Sequence, residues 1–166
     1  MQAFDQVSTT IGPSLSFPVQ CGPYWLLVGP APIVYPFVNP RRIYAATCYR
    51  HLVQSRHGLQ TTVLNVRGLP GGDRATYNVT AIQEYMNQIT TLPRGQACVI
   101  HCYHGVHRTG LIFCAALMQM EQLTMSQAWQ IFCRIRPFQY PMRENIQKGL
   151  EEWAKLLRFK QDQKVK

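Results

Sequence analysis

A stretch of twelve residues, Val99 to Gly110, constrains this chain more than any other part of its sequence. It reads V-I-H-C-Y-H-G-V-H-R-T-G, and the eight residues after it, Leu111 to Met118, are all apolar. This order predicts a buried strand, a short loop and a buried helix. A helix begins with unpaired N–H groups and the positive end of its dipole, which favour an anion just before the first turn. The stretch therefore predicts an anion-binding loop that contains a cysteine.

The side chains of this loop suit phosphate chemistry. Cys102 precedes a helix start and a cation, and both favour the thiolate that acts as a nucleophile. Arg108 offers a planar pair of donors to two phosphate oxygens, which a lysine does not match. Thr109 places a hydroxyl where it can hydrogen-bond the sulfur, and His101 is expected to brace the loop from the side away from the substrate. The predicted phosphate-binding loop consists of Tyr103, His104, Gly105, Val106, His107 and Arg108.

A plainer interpretation makes Cys102 a buried structural thiol and Arg108 an ordinary charge at a helix start. It is the weaker interpretation, because cations are disfavoured at the N-terminal end of a helix. His104 and His107 have an equally plain alternative as solvent-facing loop residues.

Composition narrows the class of protein. The chain has 166 residues, of which 46% are hydrophobic, enough for one domain with one core. Its net charge of +9 indicates an anionic partner: a phosphoprotein, a nucleic acid or an acidic lipid surface. Six cysteines without short paired spacing favour reduced thiols over a disulfide framework or a zinc site. With neither a leader nor an apolar run of membrane length, we expect a cytoplasmic or nuclear protein without a membrane partner.

Periodicity and breaker residues divide the chain into a loose N-terminal arm (1–20), a single domain (21–160) and a basic tail (161–166). Within the domain, runs rich in apolar and β-branched residues predict three strands, at Tyr24–Val28, Thr61–Val66 and Ala97–Ile100. Between the second and third strands lies a flexible connector, Arg67 to Arg74, with two consecutive glycines.

Helical spacing of apolar residues predicts five helices around that sheet. They are expected over Ile43–Gln54, from a start near Asn78 or Thr80, from a start after Gly110, over Thr124 to about Cys133, and over about Met142 to Phe159. Capping boxes are expected where Thr80 precedes Gln83 and where Thr124 precedes Gln127. Strands alternating with helices predict an α/β domain with a mainly parallel central sheet flanked by helices.

The sequence His-Cys-x-x-Gly-x-x-Arg-Thr resembles the signature loop of the cysteine-dependent protein tyrosine phosphatase superfamily. The order of elements from Tyr24 to Phe159 is similar to that of the small dual-specificity phosphatases, whose fold it implies. The RNA 5′-triphosphatase branch, found in capping enzymes and viral relatives, has His-Cys-Thr-His-Gly-x-Asn-Arg-Thr-Gly at this loop. The chain shares His104-Gly105 and the Arg108–Gly110 segment with that branch, and differs from it at Tyr103 and His107.

The resemblance implies a phosphocysteine intermediate on Cys102, formed without a metal or a cofactor. In protein phosphatases it also implies an aspartate on an upstream loop as general acid. Of the three aspartates, Asp5, Asp73 and Asp162, Asp73 alone lies in a connector at the same predicted edge of the sheet. A solvated turn residue after two glycines is an equally good interpretation of Asp73. RNA triphosphatase relatives act without such an acid.

Three functions follow from this sequence. The first is hydrolysis of phosphate monoesters on proteins, mainly phosphotyrosine, with phosphoserine and phosphothreonine as further substrates. The second is hydrolysis at RNA 5′ ends, and the third is a catalytically weak phosphate-binding module. Because Tyr103 and His107 depart from the RNA branch, a phosphorylated protein is the expected substrate, with the RNA 5′ end as the alternative.

Overall fold

The computed structural model describes residues 5–6, 16, 18–29, 37–39, 42–47, 60–66, 68–102, 106–136 and 141–165. Within them it has strands and helices in the order expected of an α/β chain. The strands are β1 (Asp5–Gln6), β2 (Val19–Cys21), β3 (Tyr24–Gly29), β4 (Phe37–Asn39), β5 (Arg42–Thr47), β6 (Gln60–Val63) and β7 (Ala97–His101). The helices are α1 (Val79–Thr90), α2 (His107–Met120), α3 (Met125–Ile135) and α4 (Glu144–Val165).

Within the described residues, the central sheet has five strands in the order β2-β3-β7-β5-β6. β3, β7, β5 and β6 run parallel to one another, and β2 runs antiparallel to β3 at one edge. Cys98 in the central strand β7 is paired with Leu26 on one side and Tyr44 on the other. All five residues of β7 are buried, as in strands covered on both faces. The predicted mainly parallel α/β fold is confirmed.

The helix that follows the motif cysteine lies in the core. Ten consecutive residues of α2, from Thr109 to Met118, are buried. α4 packs on this helix through Trp153, whose indole N–H donates to the carbonyl of Ala115 at 3.1 Å. α3 crosses α2 at Gly110, where an added Cβ would lie 2.8 Å from the Trp129 ring. The start of α2 is therefore fixed between neighbouring helices.

Two helix predictions that rest on local patterns are confirmed. The Thr124 hydroxyl accepts from the Gln127 N–H at 3.1 Å, and the Gln127 side chain accepts from the Thr124 N–H at 2.9 Å, which is the predicted capping box. The buried face of α1 consists of the four predicted residues, Ile82, Tyr85, Met86 and Ile89.

Two other predictions are wrong. Within the helix expected over Ile43–Gln54, residues 43–47 belong to strand β5, because pairing with β7 and β6 on its two sides outweighs the local spacing. Residues 48–54 lie outside the described part of the chain. The cap of α1 is Asn78, whose side chain accepts from the Ala81 N–H at 3.0 Å, so Thr80 is inside the helix.

Both predicted ends of the domain hold regular structure. Inside the expected arm (1–20), Asp5–Gln6 pairs with β4, and the Ser16 hydroxyl accepts from the Val28 N–H at 3.0 Å. Val19 and Gln20 already belong to β2; residues 1–4, 7–15 and 17 lie outside the described residues. In the expected tail, residues 161–165 continue α4. No helix in the described ranges is long and apolar enough to cross a membrane.

Candidate active site

The motif cysteine stands at the carboxyl-terminal edge of the sheet. Cys102 directly follows β7 and is 2% exposed. The buried hydroxyl of Thr109, in the first turn of α2, donates a hydrogen bond to the Cys102 Sγ at 3.0 Å. Since this edge is where open α/β sheets bind ligands, the sulfur occupies a ligand-binding position of the fold. The hydrogen bond predicted between Thr109 and the sulfur is present.

The start of α2 differs from the starts of two other helices. Asn78 caps α1 and Thr124 caps α3, each through a side-chain oxygen. The residue at the cap position of α2 is Val106, which has no side-chain acceptor, and the first turn of α2 contains no acidic residue. A helix start without a side-chain cap or an internal carboxylate is suited to an external anion.

Arg108 joins this loop to the connector upstream. Its Nη1 donates to the carbonyl of Leu69 at 3.0 Å. A Cβ added to Gly71 would lie 3.5 Å from the guanidinium carbon, so the connector backbone passes directly beside the charged group. A guanidinium has five N–H donors in one plane, a geometry that matches both carbonyl and phosphate oxygens.

Asp73 lies two residues beyond Gly71 on the same connector and is exposed. It makes no hydrogen bond or ion pair with another residue of the described ranges. It borders a cavity of about 460 Å³ that Arg74, Asn145 and Lys148 also line. The structure therefore brings the connector to Arg108 without joining the Asp73 carboxyl to Cys102.

His101, the last residue of β7, is fully buried beside the nucleophile position. Neither of its ring nitrogens has a hydrogen-bond partner in the described part of the chain. Burial lowers the pKa of His101 from 6.5 to about 4, because a charged imidazolium would lose its hydration there. The ring is thus neutral at pH 7.

Three other thiols lie in less reactive surroundings. Burial, with a smaller effect of the Glu121 charge, raises the pKa of Cys21 to about 12. Burial also raises the pKa of Cys114, with a smaller contribution from Cys133, and burial raises the pKa of Cys133. These three cysteines remain protonated at neutral pH, which weakens them as nucleophiles.

The described structure thus brings together Cys102, Thr109, Arg108 and the connector, with Val106 at the cap of α2 and a half-buried His107 as its first residue. The predicted loop residues Tyr103, His104 and Gly105 lie outside the described residues. No group of three or more potential metal ligands occurs among the described side chains.

Sequence reasoning did not identify two residues that contact the connector, Tyr77 and Asn145. The Tyr77 hydroxyl donates to the Pro70 carbonyl at 2.6 Å, and the Asn145 amide donates to the carbonyls of Gly72 and Ala75. No local sequence signal distinguishes Asn145, because its acceptors lie 73 and 70 residues away along the chain.

Comparison with known families agrees with this geometry. Residues 46–162 match the sequence profile of the family described as "Dual specificity phosphatase, catalytic domain". A curated relative, an RNA/RNP complex-1-interacting phosphatase homolog of Caenorhabditis elegans, is 27% identical over 124 residues. That alignment covers 72% of this chain and 49% of the relative, so the chain spans about half the length of the curated relative it matches.

Solved structures show the same fold at low sequence identity. Human DUSP28 matches with a TM-score of 0.53 at 14% identity, covering 80% of this chain and 90% of that one. A mouse putative dual specificity phosphatase has a TM-score of 0.58 at 12% identity, covering 92% and 94%. The active form of Tk-PTP has a TM-score of 0.55 at 20% identity, covering 87% and 99%.

Proposed function

Because the chain belongs to the dual specificity phosphatase family, we propose that it is a cysteine-dependent, metal-independent phosphatase with Cys102 as its nucleophile. The observation that carries this proposal is the 3.0 Å hydrogen bond from the buried Thr109 hydroxyl to the Cys102 sulfur. The sulfur accepts this bond from the first turn of α2, where Val106 provides no side-chain cap and Arg108 directly precedes Thr109. These are the requirements of a thiolate that attacks a bound phosphate.

The proposed reaction has two displacements at phosphorus. In the first, the Cys102 sulfur bonds to phosphorus while the P–O bond to the leaving group breaks, and the leaving oxygen takes the proton of the Asp73 carboxyl. In the second, a water oxygen attacks phosphorus and the S–P bond breaks; one proton of that water stays on the phosphate, and the other passes to solvent, from which Asp73 is protonated again. Inorganic phosphate leaves, and both Cys102 and Asp73 regain their starting states.

The remaining groups stabilise charge in both steps. Arg108 and the N–H groups at the start of α2 hold the phosphoryl oxygens, on which negative charge is concentrated. The loop residues Tyr103, His104 and Gly105 complete the proposed phosphate-binding loop. The Thr109 hydroxyl stabilises the thiolate that leaves in the second step. His101 is neutral and buried, so its proposed role is to support the loop.

The proposed substrate is a phosphorylated protein, with phosphotyrosine preferred. Tyr103 and His107 depart from the loop of the RNA branch at two positions of the phosphate-binding loop. Proteins that follow a single nucleic-acid strand combine a basic groove with several aromatic platforms. Among the described residues one large hydrophobic side chain is exposed, Phe159 at 60%.

RNA 5′ ends are the second candidate substrate. Two observations favour them: the curated relative carries RNA in its name, and the chain has a net charge of +9. A pyrophosphate-type leaving oxygen needs little protonation, so on this substrate Asp73 would not be required.

A direct comparison of substrates tests both candidates. The kcat/KM for a phosphotyrosine peptide is measured beside γ-phosphate release from triphosphate-ended RNA, at one salt concentration because RNA binding weakens steeply with salt. We expect the peptide to be the better substrate. A ranking reversed by more than about tenfold, equivalent to about 1.4 kcal/mol of transition-state binding, assigns the protein to RNA ends.

Two variants test the covalent mechanism in the same assays. Cys102→Ser is expected to lose turnover on both substrates and still to bind inorganic phosphate, since Arg108 and the helix start are intact. Cys133→Ser, at a half-buried thiol on α3, is the matched control and is expected to retain activity. Turnover by Cys102→Ser contradicts the mechanism, and a wild-type protein that binds phosphate without turnover is a binding module.

A further inference from the structure

The connector that carries Asp73 has little intrinsic rigidity. Residues 70–74 are exposed, and two consecutive glycines, Gly71 and Gly72, precede Asp73. Gly72 has a φ of +99°, a conformation that residues with a Cβ rarely adopt. Burial therefore does not fix the position of the aspartate, and contacts from other elements must do so.

One side chain from the far end of the chain holds the backbone on both sides of Asp73. The Asn145 Nδ2 donates to the carbonyl of Gly72 at 3.1 Å and to the carbonyl of Ala75 at 2.9 Å. Its Oδ1 accepts from the N–H of Ile146 at 3.0 Å, which fixes the orientation of the amide. One N–H of the amide thus binds the carbonyl of Gly72, just before Asp73, and the other binds the carbonyl of Ala75, two residues after it.

Asn145 is itself held on a well-supported helix. It lies in the first turn of α4, and Gly149 in the next turn packs against Tyr77, the residue whose hydroxyl holds the Pro70 carbonyl of the connector. A Cβ added to Gly149 would lie 3.3 Å from both the Cβ and the carbonyl oxygen of Tyr77, and 3.3 Å from Leu111 of α2. Ile146 and Leu150 of the same turns are fully buried. The amide therefore connects the flexible connector to the core.

We propose that Asn145 is a positioning residue for the general acid: by holding the carbonyls of Gly72 and Ala75, it sets where the Asp73 carboxyl meets the leaving oxygen. This inference rests on the proposed function. A misplacement of about 1 Å can cost a catalytic group about a hundredfold in rate, so two hydrogen bonds on the flanking backbone are enough to matter. The side-chain hydrogen bonds of Asn145 go to Gly72, Ala75 and Ile146, and none goes to Cys102.

Leaving groups of different acidity test the proposal. In Asn145→Ala, kcat for phenyl phosphate is expected to fall about 10- to 100-fold, while kcat for p-nitrophenyl phosphate, whose leaving oxygen needs little protonation, changes less than about threefold. KM for either substrate is expected to stay the same. Asn145→Asp keeps the size of the side chain and its acceptor oxygen but loses both N–H donors, so its kinetics are expected to match those of Asn145→Ala. It provides the same test if the alanine variant unfolds.

Two further measurements separate a positioning role from a structural one. The basic limb of the pH profile of kcat for phenyl phosphate is expected to flatten in Asn145→Ala, as in Asp73→Asn. The double variant Asp73→Asn with Asn145→Ala is expected to lose no more than Asp73→Asn alone, because both changes remove the same proton transfer. Asn87→Ala is the matched control. Asn87 is an exposed asparagine on α1, and its side-chain oxygen accepts a hydrogen bond from Gln83.

Equal losses on the two substrates, additive losses in the double variant, or no loss in either Asn145 variant would overturn the proposal. Failure of the phosphatase function itself is seen separately, as an inactive wild-type protein or as turnover that survives Cys102→Ser.

Discussion

The two segments that meet at Arg108 are built in different ways. The segment with Cys102 leaves a fully buried strand and enters a helix whose next residues are buried, so core packing fixes both of its ends. In the connector, Leu69 is buried but residues 70–74 around Asp73 are exposed, and hydrogen bonds from Arg108, Tyr77 and Asn145 hold the connector backbone. The nucleophile is held by the core and the acid by a few side chains from distant parts of the chain.

This difference predicts how each segment responds to substitution. Changes in the Cys102 segment should act on every phosphate ester, because every substrate presents the same phosphoryl group there. Changes around the connector should act in proportion to the proton that the leaving group needs. Arg108 belongs to both segments, since it contacts the Leu69 carbonyl and directly precedes Thr109, whose hydroxyl donates to the Cys102 sulfur.

Apart from loss of the nucleophile itself, the largest effect is therefore expected at Arg108. Arg108→Lys is predicted to lower kcat/KM about 10²- to 10³-fold on good and poor leaving groups alike, since an ammonium lacks the planar pair of donors and cannot hold Leu69 and phosphate together. Steady-state kinetics with phenyl and p-nitrophenyl phosphate measure this. Arg94→Lys, at an exposed turn residue before β7, is the control. A loss confined to phenyl phosphate would mean that Arg108 acts through the connector alone.

Those parts of the fold that depend on neighbouring residues were predictable from the sequence. The buried strand before Cys102, the buried helix after it and the capping box of α3 are confirmed. Each rests on a local pattern: an apolar run, a helical period or a pair of residues three apart. The hydrogen bond between Thr109 and Cys102 was predictable for the same reason, because a strand end and a helix start bring these residues together.

Those parts that depend on distant residues were not predictable. Residues 43–47 have helical spacing, yet pairing with two strands makes them β5. The role of Asn145 depends on where α4 meets the connector, which no spacing within the sequence indicates. The roles of Cys102, Arg108 and Asp73 in catalysis stay predictions until the variants are measured.

The pH dependence of stability tests the burial of His101, the last residue of the strand before Cys102. Its pKa is about 4 in the folded protein, against the ordinary value of 6.5 that applies to the unfolded chain, so the unfolded chain binds a proton first as pH falls. The stabilising effect of the neutral ring is complete above pH 6.5 and is lost as pH falls from 6.5 towards 4. Between pH 7 and pH 5 the free energy of unfolding should drop by about 2 kcal/mol from this group.

Urea unfolding at pH 7 and pH 5 checks this value. His101→Gln, which does not titrate in this range, should show a smaller drop than the wild type by about the same amount. The imidazole signal of His101 gives a second readout in the wild-type protein, because it should stay neutral at pH 5. An imidazole that titrates near pH 6.5 in the folded protein contradicts the prediction.

The smallest effect on turnover is expected at Thr109, where a substitution should slow the second displacement more than the first. Thr109→Val keeps the shape of the side chain and removes the hydrogen bond to the Cys102 sulfur. The thiolate leaves in the second displacement, so kcat should fall about tenfold, equivalent to about 1.4 kcal/mol, while kcat/KM, which reports the first displacement, changes less. Rapid mixing should then show a larger burst of released alcohol, because phosphocysteine accumulates. Thr90→Val, which removes an exposed hydroxyl that bonds the Met86 carbonyl, should show neither change. The Asn145 variants are expected to slow the first displacement for poor leaving groups, so their burst should shrink. A burst that shrinks in the Asn145 variants and grows in Thr109→Val would show that the connector and the Cys102 segment control different steps.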